Sequence, residues 1–150
     1  MSQDLALTIH ADLAWRAGRH LLALDLLGQR HPDVWYPPEM ELVDDEVVQL
    51  EYPFLNQAYE RWMQAELLAR VGRSSEALDW YAGLGLYPGE EMGYLTHSRL
   101  RMAEIYDQMG ESRRAMEQYS RVARLWADCD PELRPLRNEI RRRIARLSSN

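Results

Sequence analysis

Apolar residues recur at intervals of three to four along most of the chain, the spacing that places side chains on one face of an α-helix. Near the start this pattern is carried by Leu5, Ile9 and Leu13. The same spacing returns in four later stretches: 56–70, 94–108, 113–128 and 131–147. Nowhere does the sequence sustain the strict apolar–polar alternation of a half-buried β-strand. The pattern therefore predicts an all-α protein.

Three glycines mark the points where these helices are expected to meet in pairs. Gly18, Gly72 and Gly110 each end a periodic stretch, where a helix C-terminus favours a residue that tolerates positive φ. Each glycine has an alanine seven residues before it, an alanine five residues after it and a large apolar residue nine residues after it. These residues are Ala11, Ala23 and Leu27, then Ala65, Ala77 and Tyr81, then Ala103, Ala115 and Tyr119. A unit of helix, tight turn and helix is thus predicted three times, with Tyr81 and Tyr119 in its core.

The spacing resembles the tetratricopeptide repeat (TPR), in which small, bulky and turn residues specify a pair of antiparallel helices. The resemblance implies a right-handed α-solenoid of three TPR-like helix pairs plus a C-terminal capping helix, within one domain. The expected parts are repeat 1 at 3–30, an insertion at 31–55, repeat 2 at 56–89, repeat 3 at 94–128 and the capping helix at 131–148. The ending from Trp126 to Leu133 also resembles helical C-terminal segments of bacterial regulatory proteins, including kinases and transcriptional activators.

The insertion is predicted from the spacing between the first two turn glycines. Gly18 and Gly72 are 54 residues apart, whereas the family's unit is about 34 residues long. Four prolines, Pro32, Pro37, Pro38 and Pro53, forbid a continuous helix there. The stretch 43–50 forms either a short helical turn or an extended piece. Its aromatic neighbours favour an insertion that packs on the scaffold over a loose loop.

Helix starts are predicted from capping residues. Ser74 is a candidate N-cap for the second helix of repeat 2. Asp130 is a candidate N-cap for the last helix, with Pro131 at its first position. One apolar stripe is expected along that last helix: Leu133, Leu136, Ile140, Ile144 and Leu147.

Composition narrows the function classes. All eighteen basic residues are arginine, which suggests a GC-rich bacterial genome, and the formal net charge is −6. Residues 39–60 hold seven carboxylates and no arginine, whereas residues 130–150 hold six arginines and three carboxylates. A polyanion binder would need a broad basic face. Nucleic acid is therefore not the expected partner, and Arg141, Arg142 and Arg143 are interpreted as the solvent face of the cap.

No catalytic constellation is apparent in the sequence. Its four histidines do not form a zinc-binding pattern, and the acidic neighbours of Cys129 disfavour the thiolate that a nucleophile needs. We therefore expect a non-enzyme that uses no metal or cofactor. A single cysteine, no signal-like N-terminus and no long apolar run predict a cytoplasmic protein without membrane contact.

The family resemblance also implies a binding surface, because the first helix of each TPR pair lines the concave side of the superhelix. The register assigns nine residues to partner binding: Asp12, Trp15, Tyr59, Trp62, Glu66, His97, Leu100, Glu104 and Asp107. The expected groove is aromatic and acidic, suited to a protein or peptide that carries basic and apolar residues. Trp62 has an alternative interpretation, as a side chain that packs under the insertion.

Two function classes remain open at this point. The first is an adaptor or scaffold that binds a partner segment in this groove. The alternative is a self-associating sensor or assembly module of a bacterial transcription or signalling system. A subclass of the family clamps a peptide's C-terminal carboxylate with Lys, Arg and Asn. Here those positions hold Trp62, Glu66, Leu100 and Glu104, so that activity is not expected.

Overall fold

A computed structural model describes residues 2–30, 58–85 and 92–149. Every regular element in these ranges is helical, which confirms the predicted all-α class. The α-helices are α1 (Ser2–Arg16), α2 (His20–Gly28), α3 (Ala58–Arg70), α4 (Ser74–Ala82), α5 (Met92–Gln108), α6 (Ser112–Leu125) and α7 (Arg134–Ser148). A short 3-10 turn, Pro131–Leu133, precedes α7. The predicted insertion at 31–55 lies outside the described residues.

The three glycine turns have the same geometry, as the repeated spacing predicts. Gly18, Gly72 and Gly110 adopt φ values of 74°, 81° and 76°. In each turn the residue after the glycine donates its backbone N–H to the carbonyl five residues earlier, at distances of 2.8 to 2.9 Å. This bond closes a Schellman motif and satisfies carbonyls that the helix end would leave unpaired. The chain therefore reverses three times by one mechanism, between α1 and α2, α3 and α4, and α5 and α6.

Small residues pack where the helices of each pair approach. Ala11, Ala23, Ala65, Ala77, Ala103 and Ala115 are all fully buried. Tyr81 and Tyr119 are fully buried as well, in agreement with their predicted core positions.

The core is divided into three clusters, and each is built from successive helices. The first joins α1 and α2 to Met63 and Leu67 of α3. The second joins α3 and α4 to Met102 and Ile105 of α5, and the third joins α5 and α6 to Ile140 of α7. Since α3 and α5 each contribute to two clusters, they are the central helices of the described part. Contacts between α1 and α3 and between α3 and α5 place these helices side by side.

Several local predictions are corrected by the structure. Ser74 is the first residue of α4 and not its N-cap, and the residue at the cap, Arg73, makes no side-chain capping hydrogen bond. Asp130 occupies the N-cap of the 3-10 turn but likewise makes no side-chain capping hydrogen bond, and the α-helix starts four residues later. Leu136 is exposed and lies outside the cluster in which Ile140 and Leu147 of the same helix are buried.

Candidate functional site

The predicted partner-binding residues lie on α1, α3 and α5, and one hydrogen bond ties the first two of these helices together. The Tyr59 hydroxyl of α3 donates to Oδ1 of Asp12 at 2.5 Å, and Arg16 Nε donates to Oδ2 of the same carboxylate at 2.7 Å. The bond from Tyr59 lowers the pKa of Asp12 below its ordinary value, with a further contribution from Arg16. Burial, followed by the bond to Asp12, raises the pKa of Tyr59 to about 12.

An aromatic row runs from α3 to the end of α6; it consists of Trp62, Tyr94, His97 and Trp126. The ring of Trp62 lies 5.6 Å from that of Tyr94 and 6.4 Å from that of His97, between centroids. The ring centroids of His97 and Trp126 are 6.3 Å apart. Both contacts of His97, with Trp62 and with Trp126, are edge to face. Trp126 is buried and Trp62 is half-buried, whereas His97 is exposed. The row therefore presents its histidine to solvent, held between two indole rings.

Glu66 is at the centre of a buried polar network below this row. Its side chain accepts a hydrogen bond from the Tyr81 hydroxyl at 2.5 Å and one from Arg101 Nε at 2.6 Å. Burial and the bond to Glu66 raise the pKa of Tyr81. Burial would lower the pKa of Arg101, but the hydrogen bond and charge of Glu66 outweigh it and raise that pKa. The network fixes α3 against both α4 and α5.

Two carboxylates in the second half of α5, Glu104 and Asp107, are also paired with arginines. Glu104 accepts from Arg101 Nη1 at 2.6 Å and lies 3.6 Å from Arg143 of α7. Asp107 accepts from Arg146 Nη2 at 2.6 Å. The face that the sequence assigns to carboxylates therefore also carries arginines, which offset its negative charge.

The nine predicted residues are placed in different environments. Tyr59 and His97 are exposed, and Asp12, Trp15, Trp62, Glu104 and Asp107 are partly buried. Glu66 and Leu100 keep only 6% and 9% of their surface exposed, because they pack into the helix interfaces. Seven of the nine therefore have substantial surface for contact with a partner, and these two have little.

Sequence reasoning missed the arginines of this surface and two members of the aromatic row. Arg101 lies three residues before Glu104, a spacing that brings two side chains together on a helix and could have revealed that pair. Arg143 and Arg146 carry no such local signal for their α5 partners, since the packing of α7 against the preceding helices creates those pairs. Tyr94 and Trp126 enter the row through tertiary contacts as well.

Within the described ranges, no group of three or more His, Cys, Asp or Glu side chains is arranged to hold a metal ion. None of the described helices has the length and apolar character needed to cross a membrane. Comparisons with protein-family models, with curated proteins and with solved structures find no match.

Proposed function

We propose that this chain is a non-catalytic protein-interaction scaffold, in which TPR-like helix pairs stack as a right-handed solenoid and bind a partner segment across α3 and α5. The observation that supports this is the aromatic row, with the exposed ring of His97 between Trp62 and Trp126. Aromatic side chains combine large contact area with few rotatable bonds, and they are frequent energetic centres of protein interfaces. Tyr59, exposed on α3, extends the surface toward α1.

The partner is a protein or peptide whose apolar side chains pack on this row. Basic residues in the partner would meet Asp12, Glu104 and Asp107, as the sequence suggests. Each of those carboxylates already has an arginine partner within the chain. The aromatic surface therefore supports the apolar part of the partner better than the carboxylates support its basic part. A single cysteine is consistent with a reducing cytoplasm as the place of action.

A peptide selection tests the proposal and needs no natural partner. Random twelve-residue peptides displayed on phage are selected against the immobilised chain, after depletion on the support without protein. We expect enriched peptides to carry apolar or aromatic anchors at regular spacing and to bind with micromolar Kd. If no sequence is enriched over several rounds, the scaffold proposal is contradicted.

A second function, self-association, is favoured by a different observation. Leu5, Ile9 and Leu13 form a stripe on α1, and each is at least half exposed. Leu21 and Leu22 on the neighbouring α2 are exposed as well. The stripe is symmetric about Ile9, so an antiparallel copy of α1 would set Ile9 on Ile9 and Leu5 on Leu13 across a two-fold axis. A second copy of this chain is therefore the proposed occupant of the stripe.

Sedimentation velocity over a range of concentrations tests this second function. We expect a dimer that Ile9→Glu converts to a monomer, because two carboxylates would be buried at the axis. Glutamate is a good helix former, so the variant should keep its helicity, while its melting temperature should no longer depend on protein concentration, because only a dimer is stabilised by association. The control is Leu125→Glu, an equally exposed leucine on α6, which should remain dimeric. A wild-type monomer at every concentration, or an Ile9→Glu variant that remains dimeric, would contradict self-association through α1.

A further inference from the structure

An open cleft of about 380 Å³ lies between α5 and α7, beyond the aromatic row. Its lining consists of Asp107 from α5 and four residues of α7: Glu139, Arg142, Arg143 and Arg146. Three guanidinium groups thus converge on one depression, with two carboxylates beside them.

Three ion pairs join the lining residues of this cleft, and two of them share one arrangement of exposure. Arg146 is 60% exposed and its partner Asp107 is 23% exposed, while Arg142 is 75% exposed and its partner Glu139 is 41% exposed. In these two pairs the carboxylate is the more covered group and the guanidinium the more accessible one. In the third pair, Arg143 with Glu139 at 3.4 Å, the order is reversed, with exposures of 35% and 41%. Arg142 and Arg146 therefore form the outer surface that a ligand would meet first, and Arg143 lies deeper.

These arginines retain hydrogen-bonding capacity. A guanidinium has five N–H donors in a planar fork that matches a carboxylate. The bonds to Asp107 and Glu139 use one terminal nitrogen of Arg146 and one of Arg142. Arg143 is oriented by the Tyr119 hydroxyl, to which its Nη1 donates at 2.8 Å, and the hydroxyl lies at the end of a fully buried side chain. The bond to Tyr119 thus fixes the position of the Arg143 guanidinium before a ligand binds, which is what preorganisation requires.

Charge makes this surface distinct from the rest of the chain. Three of the six arginines of α7 line the cleft beside two carboxylates, so the lining has one positive charge in excess, whereas the whole chain has a formal net charge of −6. A concentrated basic surface on an acidic protein attracts anionic ligands at close range while the overall charge repels them from other faces.

We propose that this cleft docks an acidic segment of a partner protein, whose Asp or Glu carboxylates bind Arg142, Arg143 and Arg146. The site is separate from the aromatic row, so it can operate whether or not the row binds apolar anchors. Where both are occupied, the partner would place its acidic residues toward α7 and its apolar residues toward α3.

A peptide fits this cleft better than a nucleic acid does. Duplex DNA presents about one charge per 1.7 Å of its axis, so its phosphates would meet Asp107 and Glu139 as well as the arginines. The carboxylates of a peptide can be spaced to meet the guanidinium groups and to avoid the two acids. Electrostatic complementarity of this kind contributes more to the choice of partner than to the affinity for it.

Fluorescence anisotropy with defined probes tests the proposal on the full chain. The probes are a fluorescein-labelled hexaglutamate peptide, a Gly-Ser peptide of the same length and a short DNA duplex, all at one moderate ionic strength. We expect hexaglutamate to bind and the Gly-Ser peptide not to bind. Arg142→Gln and Arg146→Gln should each weaken hexaglutamate binding about tenfold, since each removes charge-assisted hydrogen bonds.

The matched control is Arg114→Gln on α6. Arg114 is 60% exposed and pairs with a glutamate three residues away, as Arg142 does, but it does not line the cleft. It should leave hexaglutamate binding unchanged. The proposal is overturned if hexaglutamate does not bind, if Arg114→Gln weakens binding as much as Arg142→Gln does, or if the duplex binds more tightly than the peptide and depends on the same arginines.

Discussion

Replacing Arg101 with leucine is expected to lower the free energy of unfolding by about 2–3 kcal/mol. Glu66 would remain buried and bonded to Tyr81, but it would lose the guanidinium that now donates to it at 2.6 Å and 3.3 Å. Removal of one member of a buried ion pair costs about 3–5 kcal/mol. Arg101 keeps a third of its side chain exposed, so solvent screening places the expected loss at or below the bottom of that range.

The double variant Glu66→Gln with Arg101→Leu shows whether the buried charge is the cause. A glutamine can still accept from the Tyr81 hydroxyl but has no charge to compensate, so at least about 1 kcal/mol should be recovered. Arg121→Leu is the control, because the pair between Arg121 and Glu117 is exposed and should contribute less than about 0.5 kcal/mol. Urea unfolding measures all four proteins. Equal losses for Arg101→Leu and Arg121→Leu would show that the network does not stabilise the α3–α5 contact.

Enlarging Ala103 to leucine is expected to destabilise the fold by about 1–3 kcal/mol, the typical cost of overpacking a tight core. Ala103 is fully buried between α5 and α6, in the cluster that contains Ala115 and Tyr119. Three additional carbons would force the two helices apart or push Tyr119 from its position. Ala65→Leu, at the equivalent place between α3 and α4, should behave in the same way.

The control for this change is Ala145→Leu on the exposed side of α7. Leucine and alanine have similar helix propensities, so the control should alter stability by less than about 0.5 kcal/mol. Thermal and urea midpoints are the measurements. If Ala103→Leu unfolds at the same midpoints as wild type, the close approach of α5 and α6 is not what selects alanine there.

The helices and their turns could be predicted because their causes are local. Gly72 and Ala65 carry the same information as Gly110 and Ala103, and each turn needs one residue that tolerates positive φ together with small residues on either side. Bulky positions such as Tyr81 follow from the same register. The sequence pattern therefore placed the helix pairs to within a few residues.

The charge of the candidate site could not be predicted in this way. Glu104 and Asp107 are acidic in the sequence, but their effect depends on Arg143 and Arg146, which reach them from a helix more than thirty residues later. The same holds for exposure. Glu66 on α3 and Leu100 on α5 each lie on the same helix face as more accessible residues. They are buried because neighbouring helices pack over them.

The exposed stripe of α1 shows a related limit. Leu5, Ile9 and Leu13 have the spacing of a buried helix face, yet the face of α1 that packs is the one with Ala11 and Ala14. Apolar residues at intervals of three to four indicate a helix, but they do not show which of its faces is buried. Which side is buried depends on the neighbouring helices.

If the aromatic row is the binding surface, His97 should contribute strongly to the affinity for a peptide. The side chain is exposed, so its truncation should leave the fold intact, and it lies between Trp62 and Trp126 at the middle of the aromatic row. Isothermal titration calorimetry gives the Kd of a phage-selected peptide for wild type, for His97→Ala and for His10→Ala, a control at an exposed histidine on α1. We expect a Kd at least about tenfold higher for His97→Ala, a loss of about 1.4 kcal/mol of binding free energy that is typical of an energetically important interface residue, and no change for His10→Ala. Equal affinities for all three proteins would contradict the claim that the aromatic row is the binding surface.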